Sequence, residues 1–224
     1  MIIQMYKRYF KRVMDIFCSL LAIIVFSWLY IIVAVCVRIK LGSPVIFAQE
    51  RPGKDGKVFK VYKFRTMTNK CDEKGELLPD ELRQTKFGTF LRKMSLDEIP
   101  QAFNILKGDM SILGPRPMLQ EYLDDCTEEE LKRLSVRPGL SGLAQVNGRN
   151  DLPYKERFAL DVEYIGNITF LGDVKLIFRT VAKVFKSEGV QYDENIDKRM
   201  VSESSFYHTE HLQNDEIKIM GRHS

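Results

Sequence analysis

The run "IFCSLLAIIVFSWLYIIVAVCV", Ile16–Val37, decides the fold, because its 22 residues carry no charge. That is long enough for a helix to cross a bilayer. A buried helix of a soluble core is the competing reading, and the length and purity of the run argue against it. No small-residue cleavage site follows, so the run does not read as a secretory signal. Lys7, Arg8, Lys11 and Arg12 precede it; Arg38 and Lys40 follow, with Arg51 and Lys54 a little further on. Both flanks are basic, so the positive-inside rule gives no crossing direction. A helix that enters, bends and leaves on one side satisfies both flanks. The expectation is therefore a re-entrant helix, with a straight crossing as the alternative. Ser27 and Trp28 are the expected bend, since a serine hydroxyl can bond back to a carbonyl one turn earlier.

Moving outward, charge is unevenly spread. Residues 1–70 hold 13 Lys and Arg against 3 Asp and Glu, whereas the remainder holds 21 against 27. A basic front end beside an apolar run points to an anionic membrane surface. Nucleic acid is the second reading of that patch. A chain of 224 residues, 45% hydrophobic and 29% charged, has material for one sizeable domain plus an appendage and is not a disordered tail. Cys18, Cys36, Cys71 and Cys126 form no CxxC pair, which argues against zinc and fits a reducing cytosol. His208 and His211 stand in a polar tail and make a weak metal motif.

After Gly42-Ser43-Pro44, "VIFAQE" and "VFKVYKFRTM" flank the turn-rich "RPGKDGK" and predict a β-hairpin. In its second strand Phe59, Val61, Lys63 and Arg65 share one face, and Val58, Lys60, Tyr62 and Phe64 the other. Residues 69–84 read as a loop or short helix, and "FGTFLRKM" and "EIPQAFNILK" as short helices. Thr127 with Glu130 is a capping box. "RPGLSGLAQVNGRN", 137–150, has the composition of a loop lining a polar pocket. It matches neither GxGxxG nor GxxxxGK[ST]. Pro153–Ile165 reads as a helix. Phe170–Lys186 is amphipathic, with Phe170, Val174, Ile177, Phe178, Val181 and Phe185 on one face and Lys175, Arg179, Lys183 and Lys186 on another. That helix lies on lipid headgroups or, the favoured reading, packs on the core.

The chemistry concentrates in "SLDEIPQAFNILKGDMSILGPRP", residues 95–117. Ser95-x-x-Glu98 matches a capping box, which would make Asp97 and Glu98 ordinary first-turn residues. Pro100 weighs against a cap at Ser95, because as the fifth helical residue it would lose a backbone bond; a helix opening at Asp97 avoids that. A helix mouth seats phosphate. Two adjacent carboxylates there suit phosphoryl chemistry, because Mg²⁺ prefers carboxylate and phosphate oxygens together and Asp or Glu can be a covalent nucleophile. Gly114-Pro115-Arg116-Pro117 mounts an arginine between two prolines, a pre-ordered clamp for an anion.

These motifs, together with "KRVMD", "RPG", "YKFRTM", "RPGLSGLAQVNGRN" and "DVEYI", resemble the bacterial sugar transferases known as monotopic phosphoglycosyl transferases. The resemblance runs in order from about Lys11 to Val190 and is closest to small, core-only members. It implies an α+β, mostly helical fold: an N-terminal membrane-inserted re-entrant helix (1–40), a cytoplasmic catalytic domain (41–190) with a small β-hairpin, short helices and an amphipathic interfacial helix, and a polar tail (191–224). It implies transfer of a sugar 1-phosphate from a UDP-sugar to polyprenyl phosphate, usually undecaprenyl phosphate, with Mg²⁺ as cofactor and UMP leaving. The implied place is the cytoplasmic face of the inner membrane, in contact with its lipid. Nucleic acid is then not an expected partner, and a homodimer is left open.

Carried over residue by residue, Asp97 is the implied nucleophile and Glu98 its partner in metal binding or activation. Arg116, Arg92 and Arg65 are implied to hold phosphate. Arg137, Gln145, Asn147, Arg149 and Asp161 are implied to line the nucleotide-sugar pocket. One departure stands out: the family usually has Ser-Pro at the membrane bend, and this chain has Ser27-Trp28. Two rival readings predict different behaviour. A membrane-anchored Mg²⁺-dependent phosphatase or pyrophosphatase would consume UDP-sugar without a lipid acceptor. A tethered scaffold or nucleic-acid binder would bind polyanions in a salt-sensitive way and ignore loss of Asp97. The sugar is not legible; the loops around 137–165 would select it.

Overall fold

The computed structural model describes residues 2–123, 126–148 and 152–186. Arg149, His208, His211 and the tail from 191 lie outside them, as do the side chains of Phe185 and Lys186. A short helix, Ile2–Met5, and a π turn, Tyr6–Phe10, lead into α1, Lys11–Val25. Helix α2, Ser27–Leu41, follows after a bend of 64°. The break is at Phe26, one residue before the expected Ser27-Trp28. Phe26 has φ −98° and ψ 14°, in the bridge region, and its carbonyl accepts from the amides of Leu29 and Tyr30. Ser27 thus opens the second helix, with no side-chain cap at the break. Among the described residues no single helix is long and apolar enough to cross a membrane; the bent pair together is. Its outer surface is apolar, with Phe17, Ile24, Trp28 and Ile31 all exposed.

The expected hairpin forms. Strand β1, Ile46–Pro52, pairs antiparallel with β2, Val58–Phe64, from Ile46↔Phe64 to Pro52↔Val58. Then come α3, Asp80–Arg83; α4, Lys86–Lys93; and α5, Gln101–Lys107. Asn104, fully buried on α5, accepts from the Tyr62 amide (3.0 Å) and donates to the Lys60 carbonyl (2.7 Å). Its side chain bonds the free edge of β2 as a neighbouring strand would. Beneath it Phe59, Val61, Ile105 and Met110 make one core, and Val33, Val37, Leu41, Phe64 and Leu91 make another against α2. The two faces of β2 are therefore both buried at different points along the strand.

Strand β3, Ser111–Leu113, runs parallel to β4, Gly139–Ser141. Between them α6, Glu128–Leu131, carries the expected Thr127–Glu130 capping box. The stretch 137–150, expected as a loop, instead supplies β4 and α7, Leu143–Asn147. Glycine is what lets the strands close: a Cβ on Gly139 would sit 2.1 Å from the Gly114 nitrogen. Helices α8, Tyr154–Gly166, and α9, Phe170–Lys186, complete the domain. On α9, Leu176 and Ile177 turn into a core with Tyr6, Leu113 and Tyr164, whereas Phe170, Leu171, Phe178 and Val181 face outward. The helix packs on the core, but Phe170, Phe178 and Val181 of its expected apolar face are exposed.

Three of the front-end cations expected at a membrane surface, Lys7, Lys11 and Arg12, bond to other parts of the protein, while Arg8, Arg38 and Lys40 are exposed. Arg12 donates to the carbonyls of Ile105 (2.6 Å) and Leu106 (2.8 Å) in the last turn of α5. Lys7 donates to the Ile165 carbonyl at the end of α8 (3.1 Å). Cations there bond carbonyls at helix C-termini, where positive charge is favoured by the helix dipole. Lys11 pairs with buried Asp173 (2.6 Å) and bonds the Tyr164 hydroxyl (3.0 Å). Buried Asp15 accepts from the Ser111 hydroxyl (3.0 Å) and the Ile112 amide (2.9 Å). The "KRVMD" motif thereby docks the base of the bent helices onto the helix and strand that follow the acid pair.

Candidate active site

Asp97 and Glu98 lie in a 3₁₀ turn, Leu96–Glu98, between α4 and α5. The turn is entered through Ser95 in the left-handed region (φ 55°, ψ 22°) and left through Pro100, the N-cap of α5. The expected helix start at Asp97 is therefore corrected: α5 opens at Gln101. The Ser95–Glu98 capping box is also absent, since a capping serine needs extended backbone. Only the Glu98 amide reaches back, to the Ser95 carbonyl at 3.3 Å. The apolar residues bracketing the acids, Leu96 and Ile99, pack with α2. Tyr30 of α2 donates its hydroxyl to the Ile99 carbonyl (2.5 Å). The acids thus sit where the apolar helix pair meets the polar domain.

One oxygen of Glu98, Oε1, accepts from Arg116 (2.7 Å) and from Lys63 (2.9 Å). Burial opposes its ionisation, and the two cations outweigh burial, holding the carboxyl well below the usual range. Asp97 is buried and its side chain accepts no hydrogen bond among the described residues. Burial and then the Glu98 charge push its carboxyl up to about 6; Lys63, Arg92 and Arg116 pull the other way. The two neighbours are driven apart: one is a fixed counter-ion, the other a carboxylate ionised at neutral pH with oxygens uncommitted to the protein. That is the pattern of a nucleophile beside a charge anchor. Glu98 Oε1 carries both cations, so Asp97 and the second Glu98 oxygen remain as hard donors of the kind Mg²⁺ takes together with phosphate oxygens. No cluster of three or more His, Cys, Asp or Glu side chains suited to a metal occurs among the described residues.

Each cation is mounted separately. Lys63 projects from β2, on the Phe59–Val61 face. Arg92, on α4, donates to the Thr66 hydroxyl (2.8 Å) just after β2. Arg116 is half exposed, on a loop held just before it: the Gly114 amide donates to the Ser141 carbonyl (2.9 Å) and the Gly139 amide to the Pro115 carbonyl (2.8 Å). Buried Arg133 then bonds the Arg116 carbonyl (2.9 Å) and pairs with Asp161 (2.7 Å).

The other expected site residues make contacts of their own. Arg65 is buried and donates to the Ser43 carbonyl (2.8 Å), at the corner joining α2 to β1. Arg137 donates to the Gly108 carbonyl (2.8 Å). Asn147 accepts from Arg179 (2.8 Å) beside a cleft of about 220 Å³ lined by Leu143, Glu163, Asn167 and Lys175. The amide atoms of Gln145 are shielded and lack hydrogen-bond partners among the described residues. Asp161 is interior, on α8. Sequence reasoning missed Lys63 and Arg133 as members of the site. Lys63 had a signal, its inward place in the strand alternation; Arg133, inside "EEELKRL", had none.

Comparison with known proteins places this geometry. Residues 6–187 match the family model described as bacterial sugar transferase. The chain is 47% identical over 186 residues to the uncharacterized sugar transferase EpsL of Bacillus subtilis, covering 83% of this chain and 92% of that protein. It is 38% identical over 200 residues to the undecaprenyl-phosphate galactose phosphotransferase of Salmonella typhimurium, covering 82% of this chain and 42% of that longer protein. It is 41% identical over 186 residues to the UDP-glucose:undecaprenyl-phosphate glucose-1-phosphate transferase of Klebsiella pneumoniae, covering 79% of this chain and 40% of that protein. The chain spans nearly all of the short relative and less than half of the long ones. This protein belongs to the bacterial sugar transferase family.

Proposed function

We propose that this protein transfers a sugar 1-phosphate from a UDP-sugar to undecaprenyl phosphate, initiating glycan assembly, through a covalent intermediate on Asp97. The observation that carries the reading is the dyad's position: an uncommitted, buried aspartate beside a cation-anchored glutamate, at the seam between bent apolar helices and a polar domain. The relatives named as undecaprenyl-phosphate sugar-phosphate transferases support the same reaction class.

In the first step a carboxylate oxygen of Asp97 attacks the β-phosphorus of the UDP-sugar in line with the bridging oxygen. The bond from the β-phosphorus to that oxygen breaks, UMP departs, and the sugar phosphate stays as an acyl phosphodiester. In the second step a phosphate oxygen of the lipid attacks the same phosphorus, the aspartyl bond breaks, and the carboxylate is restored. Arg116 and Arg92 meet the diphosphate charge from fixed mounts. Lys63 keeps Glu98 ionised and in place. Asp97 and Glu98 are the residues that would hold Mg²⁺, which would supply neutralisation of diphosphate charge. The bent pair α1–α2 inserts into one leaflet, and the outward Phe170, Leu171, Phe178 and Val181 of α9 rest on the same interface. Two substrates, one in water and one in lipid, then use one site in turn.

The test is UMP release from a panel of UDP-sugars with and without undecaprenyl phosphate. Steady turnover requires the lipid under this reading. Steady hydrolysis without it would favour a membrane-anchored phosphatase.

A further inference from the structure

Asp161 stands in the "DVEYI" motif, yet it is buried among the described residues. Its Oδ2 is taken by Arg133 at 2.7 Å, and its Oδ1 is shielded from solvent. Arg133 is enclosed as well: its guanidinium lies 4.3 Å over the Phe158 ring and against the Met118 sulfur (3.6 Å). The same NH2 nitrogen that holds Asp161 also donates to the main-chain carbonyl of Arg116 (2.9 Å). Arg116 in turn reaches Glu98. A chain of contacts therefore runs from α8 through Arg133 to the clamp arginine and its carboxylate. One turn further along α8, Tyr164 bonds Lys11 at the base of the bent helices (3.0 Å) and Asp173 of α9 (2.9 Å). The motif thus fastens one helix to both the membrane-side base and the phosphate clamp.

We propose that Arg133 and Asp161 are positioning residues: the buried pair sets the main chain of Arg116 so that its guanidinium meets the substrate diphosphate, and Asp161 does not touch the sugar. This deepens the transferase reading and rests on it for the identity of the diphosphate. A buried ion pair is costly to desolvate and is readily replaced by apolar side chains. What an apolar pair cannot supply is the donor to the Arg116 carbonyl. The planar guanidinium is held in place by its seat over Phe158 and against Met118, and a flexible ammonium stem has no such seat, which is why lysine is a poor substitute for Arg133.

The experiment is a double-mutant cycle on the full chain in lipid nanodiscs, with two readouts: kcat and donor KM for UMP release, and calorimetric affinity for inorganic pyrophosphate. Arg133→Lys should lower kcat by about a hundredfold, the scale of a small misplacement of a catalytic group. It should weaken pyrophosphate by about tenfold. In an Arg116→Ala background the same substitution should change neither by more than about twofold. The charge-free double variant Arg133→Met with Asp161→Leu should keep the wild-type thermal midpoint and show the same losses, which separates positioning from unfolding. Effects that multiply with those of Arg116→Ala would overturn the proposal. So would an Asp161→Asn enzyme whose donor KM rises for one UDP-sugar and not another, since that marks a sugar contact. Coupling in pyrophosphate binding by a protein that never releases UMP would uphold the positioning and sink the transferase reading instead.

Discussion

The hydroxyl of Tyr30 lies 2.5 Å from the carbonyl oxygen of Ile99. That single bond ties the second apolar helix to the turn carrying the acid pair, two residues past Asp97. Tyr30 also packs edge-on against Phe103 of α5, ring centres 5.7 Å apart. Tyr30→Phe keeps the ring packing and deletes the bond. The expected cost is about 1 kcal/mol, a fall of roughly 2–4 °C in thermal midpoint for a domain of this size, with slower UMP release. An unchanged midpoint and rate would mean that the bond does not hold the turn.

Lys63 and Arg116 share one oxygen of Glu98, and both lower the carboxyl of Asp97, which burial and Glu98 push up to about 6. The nucleophile must be ionised, so the rate of UMP release should fall as pH drops through about 6. Lys63→Met removes a cation that favours the Asp97 carboxylate, so its acid limb should move to higher pH. At pH 8 the variant should also be slower by about 10²–10³, the scale for loss of one charge-stabilising group. A limb that stays near pH 4, or moves down in Lys63→Met, would contradict this assignment.

Much of the frame was legible because it is local. Alternation in "VFKVYKF" and the glycine-rich turn before it specify the hairpin, and the apolar period from Phe170 specifies α9. The acid pair was singled out by its flanking motif, whereas the helix mouth that Pro100 suggested at Asp97 did not form. Its exact backbone was not, because Ser95 adopts a left-handed conformation set by packing of Leu96 and Ile99 against α2, far away in sequence. The parallel β3–β4 ladder was hidden for a similar reason: two three-residue strands give no period, and their pairing depends on glycines meeting across a long connection. The fate of the basic front end was equally non-local, since the partners of Lys11 and Arg12 lie in α5, α8 and α9.

The bend at Phe26 makes a topological prediction. In a variant freed of native cysteines, Met5→Cys and Lys57→Cys flank the bent pair. Both should react with a membrane-impermeant maleimide from the cytoplasmic face and neither from the opposite face. Labelling of the two positions from opposite faces would establish a straight crossing.

The most direct measurement is the intact mass of the protein after incubation with an accepted UDP-sugar and Mg²⁺ but no polyprenyl phosphate. A mass gain equal to one sugar phosphate, mapped to Asp97, lost on adding undecaprenyl phosphate and missing from Asp97→Asn, is the expected result. UMP released at the wild-type rate by Asp97→Asn, or an active enzyme that never carries the adduct, would contradict a covalent role for that carboxylate.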